Sequence, residues 1–403
     1  MKEPRTMKLY KVVITVIIVV FLSVSLTMIA MYEYFVNGTF SNLSILPITK
    51  DAGIDERIKG YRKMIDKYYI GDIDEQKLID GAITGYIEGL EDPYTRYISA
   101  NEMEDYMEDI VGDFIGVGIY MIEDTEADKI MIISPIKSGP AEKAGILPND
   151  YIISVNGEKV TGKDINIAPN KIKGEEGTTV KLEILRGTET LTFDLVREKI
   201  VISPVESEML ENSIGYISFS SFDEHTSKSF KEKYVELEKN GAKSLIIDLR
   251  NNGGGIVDEA INIADFIVPK NVDLLYEIDK DGKETIEKSK NDPIINMEIV
   301  VLINENSASS SEILAGALKD LDEATIVGSK SFGKGIIQQV LTMPNGTGLT
   351  VTCAKYLTPD RNEIHKIGIT PDVVVEIPED LKNELVIEKA NDVQLQKAIE
   401  ILK

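Results

Sequence analysis

The sequence predicts a multidomain α/β chain with an N-terminal transmembrane helix, a helical N-terminal region, a strand-rich middle module, an α/β core with parallel strand-helix crossovers, and a C-terminal helix. Three observations predict it. Residues 12–31 carry no charge over twenty positions. Apolar residues then recur at spacings of three and four up to about residue 108 and give way to short, glycine-punctuated apolar runs from Phe114 onward. Finally, strand-helix-strand patterns repeat beyond Ile200, which parallel strands require.

At about 1.5 Å per residue, a twenty-residue apolar helix just crosses a hydrocarbon core of about 30 Å. Lys2, Arg5, Lys8 and Lys11 precede it, and no small-residue cleavage site follows. The segment therefore reads as an uncleaved signal anchor in the cell membrane, single-pass, with its basic end inside and the rest on the extracytoplasmic side. Domain bounds follow from the changes of pattern: 1–32 stub and anchor, 33–50 stalk, 51–110 helical region, 111–199 strand-rich module, 200–380 core, 381–403 closing helix. In the helical region Ile54, Ile58, Tyr61, Ile65 and Tyr68 fall on one face, as do Leu78, Ala82, Ile83, Tyr86 and Leu90, and both faces read as packing surface.

Composition removes several function classes. With 44 basic and 68 acidic residues the net charge is −24, a surface that repels nucleic acid and anionic head groups. One cysteine, Cys353, excludes an internal disulfide and any CxxC metal site. Two histidines, His225 and His365, leave little material for a histidine-based triad or metal centre and read as ordinary surface or hydrogen-bonded residues.

The chemistry is concentrated in residues 299–339. An apolar run, 299–303, ends in a polar turn holding Ser307, Ser309, Ser310 and Ser311, and a helical pattern follows to Asp320. A strand that stops before a helix leaves backbone N–H groups able to stabilise an oxyanion, which suits an acyl-transfer nucleophile. A second run, 324–327, leads into a glycine-rich loop holding Lys334, with Gln338 four residues on. Only a neutral lysine can take a serine proton, so such a loop must desolvate it. The residues alone leave simpler readings open. Ser309 and Glu312 fit a capping box. Residues 328–334 fit GxxxxGK, yet Gly335 stands where a phosphate loop needs Ser or Thr, and the next residues are β-like. Ser331 to Lys334 fits S-x-x-K, but its glycine neighbours oppose the helix that arrangement needs.

SASSSEILAGALKD followed by GSKSFGKGIIQ resembles the carboxy-terminal processing peptidases, or tail-specific proteases, serine proteases with a Ser-Lys dyad. The resemblance implies Ser309 as nucleophile, Lys334 as general base and Gln338 as the residue orienting that lysine. It implies oxyanion donors at the Gly255 and Ser310 amides, the former from Asn251-Asn252-Gly253-Gly254-Gly255, where relatives usually carry proline at position 253. Ser310 and Ser311 flank the nucleophile where many relatives have alanine at 310, which leaves the choice of serine open. No metal and no cofactor is implied. Residues 114–199 resemble a PDZ domain: FIGVGI, SGPAEKAGI, NDYIISVNGE and GEEGTTV occur in order. PDZ domains take an extended C-terminus as an added strand with its carboxylate on loop N–H groups, which implies substrate contacts at Gly116, Val117, Gly118 and Ile119. Relatives carry IRG where this chain has Ile172-Lys173-Gly174. The expected partners are polypeptides with free C-termini, with self-association through the N- and C-terminal helices; the competing readings are a silent tail-binding scaffold and a nucleotide-binding protein.

Overall fold

The computed structural model describes residues 9–36, 52–379, 381 and 387–403. The chain divides into two units, residues 1–79 and 80–403. The first holds α1 (Leu9–Val36), α2 (Ile54–Tyr68) and the start of α3 (Glu75–Glu88). Within α1 the stretch Lys11–Ile29 is long and apolar enough to cross a membrane. The expected stalk lies for the most part outside the described residues. On α2 the apolar face expected to pack is exposed at Ile54, Ile58 and Tyr61, and Ile83, Tyr86 and Leu90 are exposed after it. The three-and-four spacing does form helix, but burial inside this chain does not follow from it.

The second unit continues with β1 (Arg96–Ile98) and α4 (Ala100–Val111), which ends at Gly112 in the left-handed conformation. Then β2 (Asp113–Gly116) enters a module of β3 (Ile119–Asp124), β4 (Lys129–Pro135), α5 (Pro140–Lys143), β5 (Tyr151–Val155), β6 (Glu158–Lys159), α6 (Ala168–Ile172), β7 (Thr179–Arg186) and β8 (Glu189–Val196). Its sheet runs β3-β4-β5-β7-β8 over a core that includes Ile130, Ile132, Ile152, Leu182 and Ile184. The exit strand β9 (Glu198–Val201) pairs antiparallel with β2, Phe114 opposite Ile200, so chain entry and exit are clasped together.

The core that follows contains β10 (Val205–Met209), β11 (Ile214–Phe219), α7 (Thr226–Lys239), β12 (Ser244–Asp248), α8 (Val257–Asp265), β13 (Asp273–Asp279), β14 (Glu284–Lys288), β15 (Glu298–Ile303), α9 (Ser310–Asp320), β16 (Thr325–Gly328), β17 (Ile336–Thr342), β18 (Gly348–Leu357), β19 (Val373–Val374) and α10 (Val393–Ile401). Its main sheet has the order β10-β11-β12-β15-β16-β19, parallel from β11 onward. Strands buried on both faces must be apolar at every position, and β12 and β15 are nearly so. Ile247 and Val301 face α7, α8 and α9, whereas Ile246, Val300 and Leu302 face Leu395 and Ala398 of α10. A second, antiparallel sheet of β1, β18, β13 and β14, with β17 also on β18, carries the lysine loop.

The closing helix is shorter than the sequence suggests. It begins at its cap, Asp392, whose carboxylate accepts the Gln394 and Leu395 N–H groups, and residues 382–386 of the expected helix lie outside the described residues. Asp392 also pairs with the partly buried Arg250 at 2.8 Å, which ties the start of the helix to the end of β12.

Candidate active site

Strand β15 delivers the chain into a turn pinned from below. The Ser307 hydroxyl donates to the Leu249 carbonyl at 2.8 Å and accepts the Asn304 N–H at 2.9 Å. Ser309 then adopts φ 56°, ψ −114°, a conformation that costs a non-glycine residue about 1–3 kcal/mol and persists only where neighbours enforce it. They do so here. Ser309 N–H donates to the Glu312 carboxylate at 3.0 Å, and the Ser309 carbonyl accepts the Glu312 and Ile313 N–H groups at 2.8 and 2.9 Å. Gly254, at φ +96°, packs against the turn so tightly that a Cβ there would lie 2.7 Å from Ser309 Cβ and from the Ala308 carbonyl.

The four serines of the turn differ in what their hydroxyls do. Ser307 is committed as above, Ser310 Oγ donates to the Gly255 carbonyl at 2.9 Å and Ser311 Oγ to the Asn252 carbonyl at 2.9 Å. Among the described residues, Ser309 Oγ donates to no acceptor. The loop across from it is also arranged: Gly254 N–H donates to Asn252 Oδ1 at 2.8 Å, and the Asn252 carbonyl accepts Ala308 N–H at 3.0 Å.

Glu312 is more than one half of a helix cap. It is 1% exposed, and its two oxygens accept four donors: Ser309 N–H, Lys334 N–H at 2.8 Å, Gly333 N–H at 2.7 Å and Ser331 Oγ at 2.5 Å. Three of these come from the lysine loop, so one carboxylate fixes the serine turn to it. The buried Tyr356 hydroxyl joins the same two segments, lying 2.9 Å from the Lys334 carbonyl and 3.2 Å from that of Ser309. Nothing in the local spacing reveals Tyr356, which lies on β18.

Lys334 itself is half-buried, and burial holds its amine below the ordinary lysine value, against the opposing pull of the Asp92 and Glu312 carboxylates. Its ammonium lies 4.9 Å from the centre of the Tyr94 ring. Among the described residues no hydrogen bond joins Lys334 Nζ to Ser309 Oγ or to Gln338. The Gln338 amide instead donates to the Tyr94 carbonyl at 2.6 Å. Because Lys334 is followed by strand β17, where a phosphate loop needs a helix, the nucleotide-binding reading fails. His225 approaches Asp113 at 3.4 Å. His365 departs from expectation: its Nδ1 is buried and has no hydrogen-bond partner among the described residues, beside a backbone that Gly335 meets so closely that a Cβ there would lie 2.4 Å from His365 N.

The predicted ligand-binding residues form a separate groove. Gly116 ends β2, Gly118 has φ +73°, and Ile119 opens β3, which pairs only with β4 among the described strands and so keeps one edge open. With Val117, Ile136, Ile172 and Lys173 they line a cavity of about 470 Å³. Lys173 closes one side by pairing with Glu108 and with Asp105, the latter at 3.1 Å.

A PDZ-like module inserted into an α/β core, with a serine on a strained strand-to-helix turn, defines a serine peptidase of modular build. Family comparison gives the same class and narrows it. Residues 213–375 match peptidase family S41, residues 114–196 a PDZ domain and residues 49–102 the N-terminal domain of the activating protease CtpB. The carboxy-terminal processing protease CtpA of Bacillus subtilis is 39% identical over 332 residues, covering 82% of this chain and 71% of that protein. A CtpA-like serine protease of Staphylococcus aureus is 37% identical over 348 residues, covering 85% and 68%. An S41 protease structure from Bacteroides fragilis shares the fold with a TM-score of 0.51 at 16% identity, over 82% of this chain and 90% of that one. The chain belongs to peptidase family S41, among the carboxy-terminal processing proteases, and is a serine-type peptidase with a PDZ domain.

Proposed function

We propose that the chain is a membrane-anchored endopeptidase that recognises the C-terminal tails of exported polypeptides in its PDZ groove and cleaves them with a Ser309-Lys334 dyad. The observation that carries this reading is the division of labour in the serine turn: three hydroxyls donate to backbone carbonyls, and the fourth, that of Ser309, donates to no acceptor among the described residues and sits at a strained position tied through Glu312 and Tyr356 to a half-buried lysine. In the reaction Lys334, neutral, takes the Ser309 proton as Oγ bonds to the scissile carbonyl carbon. The resulting oxyanion lies against the Gly255 and Ser310 N–H groups, and the ammonium returns its proton to the leaving amine. Water, deprotonated in turn by Lys334, releases the acyl group. Gln338 orients the lysine from the position its bond to the Tyr94 carbonyl gives it.

Gly116, Val117, Gly118 and Ile119 receive the tail, its backbone adding to the open edge of β3. The apolar stretch in α1 anchors the chain, and the basic residues before it favour an extracytoplasmic site. The exposed apolar faces of α2 and α3 suit self-association.

The test compares the full chain in detergent with its Ser309→Ala and Lys334→Ala variants on an unfolded polypeptide, products being read by mass spectrometry. The wild type cuts, and each variant loses activity by about 10⁴-fold while keeping its fold. Cleavage by either variant at the wild-type rate would remove the dyad. Deleting residues 114–199 is expected to slow cleavage of tailed substrates more than that of short peptides.

A further inference from the structure

The contacts around Lys334 and Gln338 converge on a turn far away in sequence. Asp92 builds that turn: its carboxylate accepts Thr95 Oγ1 at 2.7 Å, Tyr94 N–H at 3.1 Å and, from β18, Thr352 Oγ1 at 2.7 Å. Thr350 Oγ1 adds a bond to the Tyr94 carbonyl at 3.1 Å, and Thr95 Oγ1 accepts the Thr352 N–H at 3.1 Å. Strand β1 follows directly and pairs with β18, Arg96 opposite Thr350. The turn is thereby stapled to the sheet that carries the lysine loop.

Tyr94 presents two groups from this fixed position. Its ring faces the Lys334 ammonium at 4.9 Å, and its carbonyl takes the Gln338 amide at 2.6 Å. We propose that Tyr94 is a positioning residue for the reaction, its ring holding Lys334 and its carbonyl holding Gln338; this rests on the dyad reading above. The physical gain comes during acylation. Lysine starts neutral and becomes an ammonium as it takes the serine proton, and the negative face of an aromatic ring favours the ammonium over the neutral amine. A ring already in place stabilises that charge as it forms without admitting water, which is how pre-set electrostatics lower a barrier. The carbonyl does complementary work: by engaging the Gln338 NH₂ it leaves the amide oxygen as the end available to an ammonium.

Three variants separate the ring from the carbonyl and from mere packing. Tyr94→Leu keeps the backbone carbonyl and removes the ring, so kcat for a short peptide falls by about 10- to 30-fold with KM unchanged. Tyr94→Phe restores the ring, and because the Tyr94 hydroxyl donates to no group among the described residues, it recovers kcat to within about threefold of wild type. Asp92→Ala releases the whole turn and lowers kcat further than Tyr94→Leu. All are measured on the full chain in detergent beside Lys334→Ala, with thermal unfolding confirming that each is folded. Wild-type kcat in Tyr94→Leu, equal losses in the Leu and Phe variants, or a change confined to KM would each overturn the assignment. Undiminished cleavage by Lys334→Ala would instead overturn the dyad, so the two failures are told apart.

Discussion

The serine side and the lysine side of the site are built in opposite ways. Ser309 is set by a buried strand, the six-residue turn 304–309 and the first turn of α9, with residues 249–255 bonded to that turn and Gly254 pressed against it. Lys334 has a backbone fixed by Glu312 and Tyr356, while its side chain and that of Gln338 are placed by Tyr94, which lies 244 residues before Gln338. The turn of the proposed nucleophile is thus held by contiguous chain and by one facing segment, residues 249–255, whereas the side chain of the proposed base faces a turn far away in sequence. A shift of the stapled turn at Asp92 reaches the Lys334 and Gln338 side chains directly through Tyr94.

The difference can be broken at the residue the two sides share. Glu312→Gln turns one oxygen that accepts two donors into a donor itself, stranding buried N–H groups on the serine turn or on the lysine loop. Each unsatisfied buried donor costs about 1–3 kcal/mol, so a loss of roughly 3 kcal/mol is expected, seen as a lower Tm together with reduced cleavage. An unchanged Tm would mean that the carboxylate does not link the two segments. Tyr356→Phe is a gentler version. It removes one shared hydroxyl from between two carbonyls that keep other partners or gain water, at a cost of about 1 kcal/mol, and denaturant unfolding should resolve a change of that size without loss of the fold.

The same contrast governs what the sequence could reveal. Strand, turn and helix around Ser309 are contiguous, so their periodicities place the serine, and Gly254 beside it belongs to a recognisable glycine run. Glu312 looked like a cap because its helix position is a cap position; the three additional donors come from residues 331–334, which no local rule connects to it. Asp92-Pro93 can be recognised locally as a helix break, but the meeting of Tyr94 with Gln338 and of Asp92 with Thr352 depends on the pairing of β1 with β18, a long-range register that propensity does not specify. The hairpin of β13 and β14 went unread although Asp281-Gly282 marks its turn. On α2, correct helical spacing coexists with an exposed face, because periodicity shows that a face is apolar and not what covers it.

Electrostatics give the most direct access to the base. Burial lowers the Lys334 value in the folded chain, so between that value and the unfolded one the unfolded state binds more protons and stability rises with pH. The cost of the buried amine is absent above the unfolded value and complete below the folded one. Activity follows the same sign, since only the neutral amine can accept the serine proton. Asp92 pulls the other way by favouring the ammonium.

The decisive measurement is the pH dependence of kcat/KM on a short peptide for the full chain and for Asp92→Asn. Activity should rise through a single proton loss with a midpoint below the ordinary lysine value of about 10.4, and the Asn variant should move that midpoint to lower pH. A limb that Asp92→Asn does not move and that survives in Lys334→Ala would contradict a serine activated by this lysine.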